Sequence, residues 1–455
     1  MSLRPARLAG TITVPANKSV AQRALIASAL AGERLTDPPQ LRIENPGADI
    51  VSTAHAMADL GALSIDVLTD DLLVATCYGA PDTLGTPDAP LVLDCGNSGT
   101  GMRLLMGALA SLLADREGAV TLTGDSSLSS RPMDRVAAPL REMGARIETS
   151  KGTAPVTITG PAPLHPIDIE LPVPSAQVLA ALCFAALAAP GTTRITLPGP
   201  SRDHTERFFA FCGVDIRREG APQTRTTITG PARLTLREFS VPGDESSAAF
   251  WLVAATIHPD ADLTLPAVGL NPTRTALIAT LRHMGADITL TPDDTTGPEP
   301  SGTIEVRSAP LLSPITIAGA ETADLIDELP ILALAMAGAG GTSELRDAAE
   351  MRVKESDRIA LTCAMLTAAG IDVTETPDGW RITGSPRRYP TADAPPEAIR
   401  TDGDHRIAMA AAILTASQLA PRAIIADDPH CAAVSYPGFA ADLAAATERR
   451  DAPQQ

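Results

Sequence analysis

Hydrophobic and polar positions along this chain alternate between two spacings in regular succession. Five times, a segment with apolar residues at helical spacing ends in Gly, and the residues after this Gly alternate apolar and polar as in a strand. A Gly in this place is typical of a helix that ends in the left-handed conformation. The pattern therefore predicts five helices, each followed by a strand, at Gly61, Gly144, Gly213, Gly285 and Gly370.

A second signal, a strand that ends in Thr-Gly, lies between these segments. It occurs at Leu122–Gly124, Ile158–Pro161, Ile228–Pro231 and Ile382–Gly384. Together the two signals predict a unit of roughly 75 residues that mixes strands and helices and is repeated about six times. The predicted fold class is α/β, built from such repeats.

Two loops share the pattern Val-Pro-x-Asn/Asp-x-Ser, and each precedes an Ala-rich segment. They are Val14–Ser19 and Val241–Ser246, about half the chain apart. Both are typical of a helix N-terminus, where free N–H groups donate to a capping side chain or to an anion. We interpret them as crossovers between two domains of three units each, residues 1–18 with 243–455 and residues 19–242.

Composition and charge narrow the class of protein. The 455 residues allow two or three domains, and aromatic residues make up only 3%. The low aromatic content and the net charge of -18 both argue against nucleic acid as a partner. Six isolated cysteines predict reduced core residues without a zinc site, and no segment predicts a membrane span or a leader. We expect a cytoplasmic protein that needs no metal or cofactor.

The segment Arg352–Arg358 carries five charges in seven residues. If it is helical, Lys354 and Arg358 share a face, with Glu355 alongside them. Such a group can grip an anionic ligand while moving a proton, although a solvated helix start is the commoner meaning of a charge run.

Two further segments are candidates in the same half of the chain. Asp327 lies with Glu328 between apolar residues, where a carboxylate needs a partner or a raised pKa and is a candidate base. His405 and Arg406 follow Asp404 at the start of a helical segment. A lone His of this kind is more often a core residue than a proton donor.

In the other half, polar candidates stand at the predicted starts of helices. Asn97 and Gly99 belong to a glycine-rich turn, and Ser175 is a predicted N-cap. Together the candidates suit two multiply charged phosphate or carboxylate substrates and no metal. The cationic and hydroxyl members of this set are Lys18, Ser19, Arg23, Arg103, Arg131, Ser175 and Ser201, joined by the amide of Gln177.

These segments resemble the 5-enolpyruvylshikimate-3-phosphate synthase family, from about Gly10 to Leu443. The most specific are Arg352–Arg358 and Asp404–Met409, supported by Asn97–Thr100, Leu122–Asp125 and Arg131–Pro132 in the expected order. The resemblance implies a two-domain inside-out α/β barrel with six βαβαββ-type repeats, three in each domain, and we expect a monomer.

The family transfers the enolpyruvyl group of phosphoenolpyruvate to the 5-hydroxyl of shikimate 3-phosphate. The resemblance implies that Asp327 takes the hydroxyl proton, while Glu355, helped by Lys354, protonates the methylene carbon. It implies a shikimate 3-phosphate set of Lys18, Ser19, Arg23, Ser175, Gln177, Ser201, Asp327 and Lys354. It implies a phosphoenolpyruvate set of Lys18, Asn97, Gly99, Arg103, Arg131, Gln177, Arg358, His405 and Arg406, with Lys18 also among the catalytic residues.

The chain departs from the family pattern at a few positions. Gln22 stands where a His is frequent, and Val434 stands where some members have a phosphoenolpyruvate-binding Lys. Two alternatives stay open, a non-catalytic paralogue that binds a phosphorylated metabolite and a transferase acting on UDP-N-acetylglucosamine. The second usually carries a Cys in the loop that corresponds to residues 124–131, and this loop has none.

Overall fold

The chain folds into two compact units. The computed structural model describes residues 7–32, 35–294, 297–386, 395–417 and 419–447. The N-terminal unit contains Ala16–Pro242 and also residues 297–299. The C-terminal unit contains the described residues up to Pro15 and the others from Gly243 onward. The segment 297–299 thus joins the N-terminal unit although it lies within the C-terminal half of the sequence.

Strands and helices alternate along the described residues. The strands are β1 Leu8–Thr11, β2 Gln40–Glu44, β3 Leu63–Leu68, β4 Leu72–Cys77, β5 Gly85–Thr86, β6 Ala89–Asp94, β7 Gly118–Thr123, β8 Arg146–Ser150, β9 Thr153–Gly160, β10 Asp168–Glu170, β11 Gly191–Leu197, β12 Ile216–Glu219, β13 Thr224–Gly230, β14 Ala261–Gly269, β15 Asp287–Pro292, β16 Ser301–Arg307, β17 Thr316–Ile317, β18 Gly341–Leu345, β19 Asp372–Thr376, β20 Gly379–Gly384, β21 Glu397–Ile399 and β22 Ile424–Ala426. The α-helices are α1 Lys18–Ala27, α2 Ala48–Asp59, α3 Gly99–Leu112, α4 Ser126–Ser129, α5 Asp134–Glu142, α6 Ala176–Ala186, α7 His204–Phe211, α8 Glu245–Ile257, α9 Ala276–Met284, α10 Ala320–Asp324, α11 Leu329–Gly338, α12 Arg358–Ala368, α13 His405–Ala416 and α14 Phe439–Thr447. Short 3₁₀ helices cover Ser28–Leu30, Ala349–Val353 and Pro429–Val434.

One strand arrangement recurs in both units. A parallel pair is followed by two antiparallel neighbours in β10-β11-β13-β12 and β6-β7-β9-β8 of the N-terminal unit. The same order and sense occur in β1-β14-β16-β15 and β17-β18-β20-β19 of the C-terminal unit. Smaller sheets are β2-β4-β3 and β21-β22. The fold is therefore mixed α/β, and no sheet among the described strands closes into a barrel.

The predicted boundaries between helices and strands are confirmed. The five glycines all have positive φ, from +81° at Gly61 to +106° at Gly285, and each is followed by a strand. The four Thr-Gly segments lie at or just after the ends of β7, β9, β13 and β20. All six cysteines are buried and unpaired with one another, and their predicted place in the core is confirmed.

Each unit has its own apolar core between its helices and sheets. In the N-terminal unit the core includes Phe184 and Phe209, whose rings meet edge to face at 5.0 Å. In the C-terminal unit it includes Trp251 and Trp380, both fully buried. The helices α6, α8 and α11 are buried almost all round, so they form the centre of each core.

Candidate functional site

In the N-terminal unit, helix α1 begins with a side-chain cap and presents its cations one turn apart. Asn17 accepts a hydrogen bond from the Val20 amide at 3.0 Å, so the predicted cap is confirmed. Lys18, the first helical residue, donates to the Asp49 carboxylate at 2.9 Å and leaves 41% of its side chain exposed. Lys18 is therefore anchored at one side while still reachable from solvent.

Arg23 is a buried cation and not a surface residue. Its Nε donates to the Thr205 hydroxyl at 2.9 Å, and its Nη1 donates to the Ser19 carbonyl at 2.7 Å. Burial lowers the pKa of Arg23 to about 10, while Glu206 and Glu299 act in the opposite direction. The guanidinium thus stays charged at neutral pH and is fixed between the N-termini of α1 and α7.

Gln22 links three helix N-termini, and sequence reasoning did not assign it to the site. Its side-chain nitrogen, fully buried, lies 3.1 Å from the Asp49 carbonyl, 2.9 Å from the Thr53 hydroxyl and 2.6 Å from the Ser98 hydroxyl. Ser98 in turn caps α3 by accepting from the Gly101 amide. The amide of Gln22 therefore joins the starts of α1, α2 and α3.

A group of guanidiniums lies at the start of α3. Arg103 donates to the side-chain oxygen of Gln177 at 2.8 Å, and Arg135 donates to the same oxygen at 3.2 Å. Burial, and then the charges of Arg135 and Arg131, lower the pKa of Arg103 to about 9. Three cations in one place bind a multiply charged anion well, and Arg135 is a member that the sequence did not single out.

Gly99 faces two of these cations. A Cβ at this position would lie 3.1 Å from Nη1 of Arg103 and 3.1 Å from Nη1 of Arg131. Arg131 also donates to the Asn97 oxygen at 3.0 Å, and Asn97 donates to Asp125 at 2.7 Å. The contacts of Asn97 with Arg131 and Asp125 follow from the fold, because β6 and β7 are parallel and end at the same edge of the sheet.

Close helix packing brings Gln177 to the same group. In α3, Gly107 lets the backbone approach α6, since a Cβ there would lie 2.0 Å from the Ala181 carbonyl oxygen. At the N-termini of the two helices, Gln177 donates to the Thr100 hydroxyl at 3.0 Å. The structure thus joins Gln177 to the arginine group.

Two predicted hydroxyl residues have local structural roles. Ser175 accepts from the Val178 amide at 3.4 Å, so its predicted N-cap of α6 is confirmed. Ser201 precedes α7, and its carbonyl accepts from Arg218 at 2.7 Å. Arg218 therefore holds the loop in which Ser201 lies.

In the C-terminal unit, the Arg358 guanidinium forms ion pairs with three carboxylates. It is the first residue of α12 and is 1% exposed. Its Nε donates to Asp404 at 2.8 Å, its Nη2 lies 2.6 Å from Glu355, and its Nη1 lies 3.6 Å from Asp327. The two predicted acid–base residues are therefore joined through one guanidinium.

Asp404 is a buried carboxylate that sequence reasoning noted only as part of a motif. It is 0% exposed, accepts from the Ser356 hydroxyl at 2.9 Å and caps α13 through the Arg406 amide at 2.9 Å. Burial has the largest single effect and would raise the pKa of Asp404, but the charge and hydrogen bond of Arg358, with His405 and the Arg406 amide, together hold the pKa below its usual value. Asp404 is thus an ionised anchor for Arg358.

Glu355 is partly exposed and ionised. Its side chain is 41% exposed. Burial has the largest single effect and would raise its pKa, but Arg358, a backbone hydrogen bond and Arg406 together outweigh it, so the pKa lies below its usual value. In the protein without ligand, Glu355 is therefore a carboxylate that can accept a proton.

The predicted helical face shared by Lys354 and Arg358 is wrong. Residues Ala349–Val353 form a 3₁₀ helix, Lys354 follows it with ψ of -147°, and α12 begins only at Arg358. The reason is the cap, since Asp357 accepts from the Ala360 amide at 3.0 Å. Lys354 instead pairs with Glu350 at 2.6 Å, although Glu355 and Arg358 do meet.

Arg406 lies at the second position of α13, after His405. Its Nη1 donates to the Asp327 carbonyl at 2.8 Å and lies 3.9 Å from the Glu328 carboxylate. The segments around residues 327, 355 and 405, far apart in sequence, are thus brought together in this unit.

Two negative findings bear on the kind of site. Within the described ranges, no three His, Cys, Asp or Glu side chains are grouped so that they could hold a metal ion. No helix in the described part of the chain has the length and apolar character needed to cross a membrane.

Comparisons with known proteins cover nearly the whole chain. Residues 3–443 match the family model of EPSP synthase (3-phosphoshikimate 1-carboxyvinyltransferase). A relative from Alkalilimnicola ehrlichii named 3-phosphoshikimate 1-carboxyvinyltransferase is 44% identical over 451 residues, covering 98% of this chain and 95% of that protein. One of the same name from Gloeothece citriformis is 43% identical over 441 residues, covering 96% and 93%. Among solved structures, EPSP synthase from Acinetobacter baumannii is similar with a TM-score of 0.82 at 36% identity, covering 97% of this chain and 96% of that one.

Proposed function

This chain belongs to the EPSP synthase family, and we propose that it transfers the enolpyruvyl group of phosphoenolpyruvate to the 5-hydroxyl of shikimate 3-phosphate. The products are 5-enolpyruvylshikimate 3-phosphate and phosphate, in the pathway to aromatic amino acids. The observation that carries the proposal is the pair of carboxylates, Asp327 and Glu355, that contact one buried guanidinium, Arg358. This arrangement provides two proton carriers and a cation in one unit.

We assign the proton steps to these carboxylates. Glu355, an ionised carboxylate, takes a proton from solvent as phosphoenolpyruvate binds and delivers it to the methylene carbon of this substrate. The neighbouring carbon becomes electrophilic, and the 5-hydroxyl oxygen bonds to it while Asp327 takes the hydroxyl proton. The tetrahedral adduct then loses phosphate as its C–O bond breaks, and Glu355, deprotonated in the first step, takes a proton back from the methyl group, which restores the double bond.

The cations stabilise the negative charge of substrates and adduct. In this proposal, phosphoenolpyruvate is bound by Arg103, Arg131, Arg358 and Arg406, with Asn97, Gly99, Gln177, Lys18 and His405. Shikimate 3-phosphate is bound by Lys18, Ser19, Arg23, Ser175, Gln177, Ser201, Asp327 and Lys354. Lys18 is supported as a ligand residue by its position at a helix N-terminus and its exposure.

We extend the proposal to the finer architecture and the setting of the enzyme. The sheet order shared by four sheets supports six βαβαββ-type repeats, three in each domain, in the inside-out barrel arrangement. Domain limits of residues 1–18 with 243–455 and residues 19–242, a monomeric state and a cytoplasmic location belong to the same proposal.

Phosphorus NMR tests this function. With protein, phosphoenolpyruvate and shikimate 3-phosphate together, we expect the phosphoenolpyruvate signal to fall and inorganic phosphate to rise in equal amounts, while a phosphate monoester stays on the acceptor. Omitting shikimate 3-phosphate is the control and stops the conversion. Conversion at the same rate without this acceptor contradicts transfer and indicates simple hydrolysis.

A further inference from the structure

Glu328, the neighbour of Asp327, is a buried carboxylate for which the proposed proton steps have no role. Its side chain is 5% exposed and lies at the N-cap position of α11. A carboxylate this deep needs partners, because burial of an unpaired charge is costly. Two of them, Ser246 and Arg274, come from other parts of the C-terminal unit.

These partners fix Glu328 from one side. The Ser246 hydroxyl, near the start of α8, donates to Oε1 of Glu328. Arg274 donates to the same oxygen at 3.1 Å and also to the Ser246 hydroxyl. Burial would lower the pKa of Arg274, but Glu328 and Glu245 raise it, so the cation is permanent. Glu328 is therefore held in one place by a charged and a neutral donor.

Arg406 approaches the same oxygen of Glu328 as Ser246 and Arg274 do. Its Nη1 is 3.9 Å from Oε1 of Glu328 and donates to the Asp327 carbonyl at 2.8 Å. The hydrogen bond to the Asp327 carbonyl and the ion pair with Glu328 involve consecutive residues, so one short piece of backbone directs this end of the guanidinium. Arg274 and Arg406 share one carboxylate, and its negative charge offsets the repulsion between the two cations.

We propose that Glu328 is a positioning residue: held by Ser246 and Arg274, it sets the orientation of the Arg406 guanidinium that binds phosphoenolpyruvate. This inference rests on the proposed function for the identity of the ligand. The two adjacent carboxylates then have different roles: Asp327 accepts the proton of the hydroxyl, and Glu328 orients Arg406.

The direction in which Glu328→Gln changes the binding of phosphoenolpyruvate distinguishes a positioning role from a purely electrostatic one. Replacing Glu328 by Gln removes a negative charge beside Arg406, which by charge alone should tighten the binding of an anion. Positioning predicts the opposite, because the amide loses the charge-assisted contacts that hold Arg274 and Arg406. Ser246→Ala is the second variant, since it keeps every charge but removes one of the two donors that hold Glu328, together with the hydroxyl that Arg274 contacts.

The experiment measures kcat and the two KM values for wild type, Glu328→Gln and Ser246→Ala. We expect KM for phosphoenolpyruvate to rise roughly tenfold or more in Glu328→Gln, because the charged hydrogen bond from Arg274 and the ion pair with Arg406 are both weakened, and to rise less in Ser246→Ala. KM for shikimate 3-phosphate should change less than about twofold. The control is Leu332→Ala, one turn further along α11 and fully buried, which lowers the unfolding midpoint but leaves both KM values unchanged.

The outcomes separate this inference from the proposed function. A lower or unchanged KM for phosphoenolpyruvate in Glu328→Gln, or equal rises in both KM values, overturns the positioning role. An inactive wild type overturns the proposed function instead. A crystal structure of Glu328→Gln then still tests the placement, since Arg406 bonded to the Asp327 carbonyl as before contradicts it.

Discussion

Asp404→Asn should weaken the C-terminal unit through its most buried charge pair. The carboxylate of Asp404 contacts Arg358 at 2.8 Å and 3.4 Å and accepts from the Ser356 hydroxyl at 2.9 Å. Asn keeps one oxygen, so the cap of α13 survives. Its amide group, however, turns a donor toward the donors of Arg358 or Ser356, and the charge is lost.

The expected loss of unfolding free energy depends on which carboxylates still balance the charge of Arg358. Breaking a buried ion pair by removing one partner costs about 3–5 kcal/mol. Because Glu355 and Asp327 still face Arg358, we take the lower end, about 3 kcal/mol. For a unit of this size each kcal/mol shifts the midpoint by about 2–4 °C, so we expect a decrease of about 6–12 °C.

Thermal unfolding followed by circular dichroism measures this shift, and the chain offers a matched control. Asp402, two residues earlier, pairs with Arg400 at 2.6 Å, but both side chains are exposed, at 41% and 79%. Exposed pairs contribute little, so Asp402→Asn should change the midpoint by less than about 2 °C. Equal shifts for Asp404→Asn and Asp402→Asn would refute the reasoning.

Three further predictions concern turnover, inhibitor binding and pH. Glu355→Gln should keep substrate binding but lower kcat by a factor on the order of 100, and near-normal turnover would mean that the proton comes from elsewhere. Gly99→Ala places a Cβ 3.1 Å from Nη1 of both Arg103 and Arg131, so it should raise both KM for phosphoenolpyruvate and the inhibition constant of a competing anionic analogue several-fold; an unchanged inhibition constant contradicts this. Asp404 and Glu355 have lowered pKa values, so their stabilising effect is present above their unfolded pKa values near 4 and is lost as pH falls through the folded ones. The midpoint of Asp404→Asn should therefore fall less steeply with acid than that of wild type, and parallel curves below about pH 4 would count against the lowered pKa.

The alternation of helices and strands could be predicted from the sequence because its signals are local. Glycine at a helix end fixes a positive φ without reference to the rest of the fold, as at Gly61 and Gly285. The start of α12 was predictable in the same way, because Asp357 is a capping residue directly before the helix. Treating Arg352–Arg358 as one helix overlooked this cap, and the predicted position of Lys354 was wrong for that reason.

The partners of the candidate residues could not be predicted, because they come from distant segments. Gln22 meets Ser98, and Asp404 meets Arg358, only after separate helices pack against one another. Neither contact leaves a local pattern in the sequence. The resemblance to a family supplied the residue types of the site, and the packing of each unit supplied what holds them.

Phosphate release on mixing the protein with phosphoenolpyruvate and one of two acceptors tests the central claim most directly. We predict release with shikimate 3-phosphate and none above background with UDP-N-acetylglucosamine. Release with UDP-N-acetylglucosamine alone would contradict the assigned acceptor. No release with either, from folded protein that binds shikimate 3-phosphate, would contradict catalysis and indicate a binding protein.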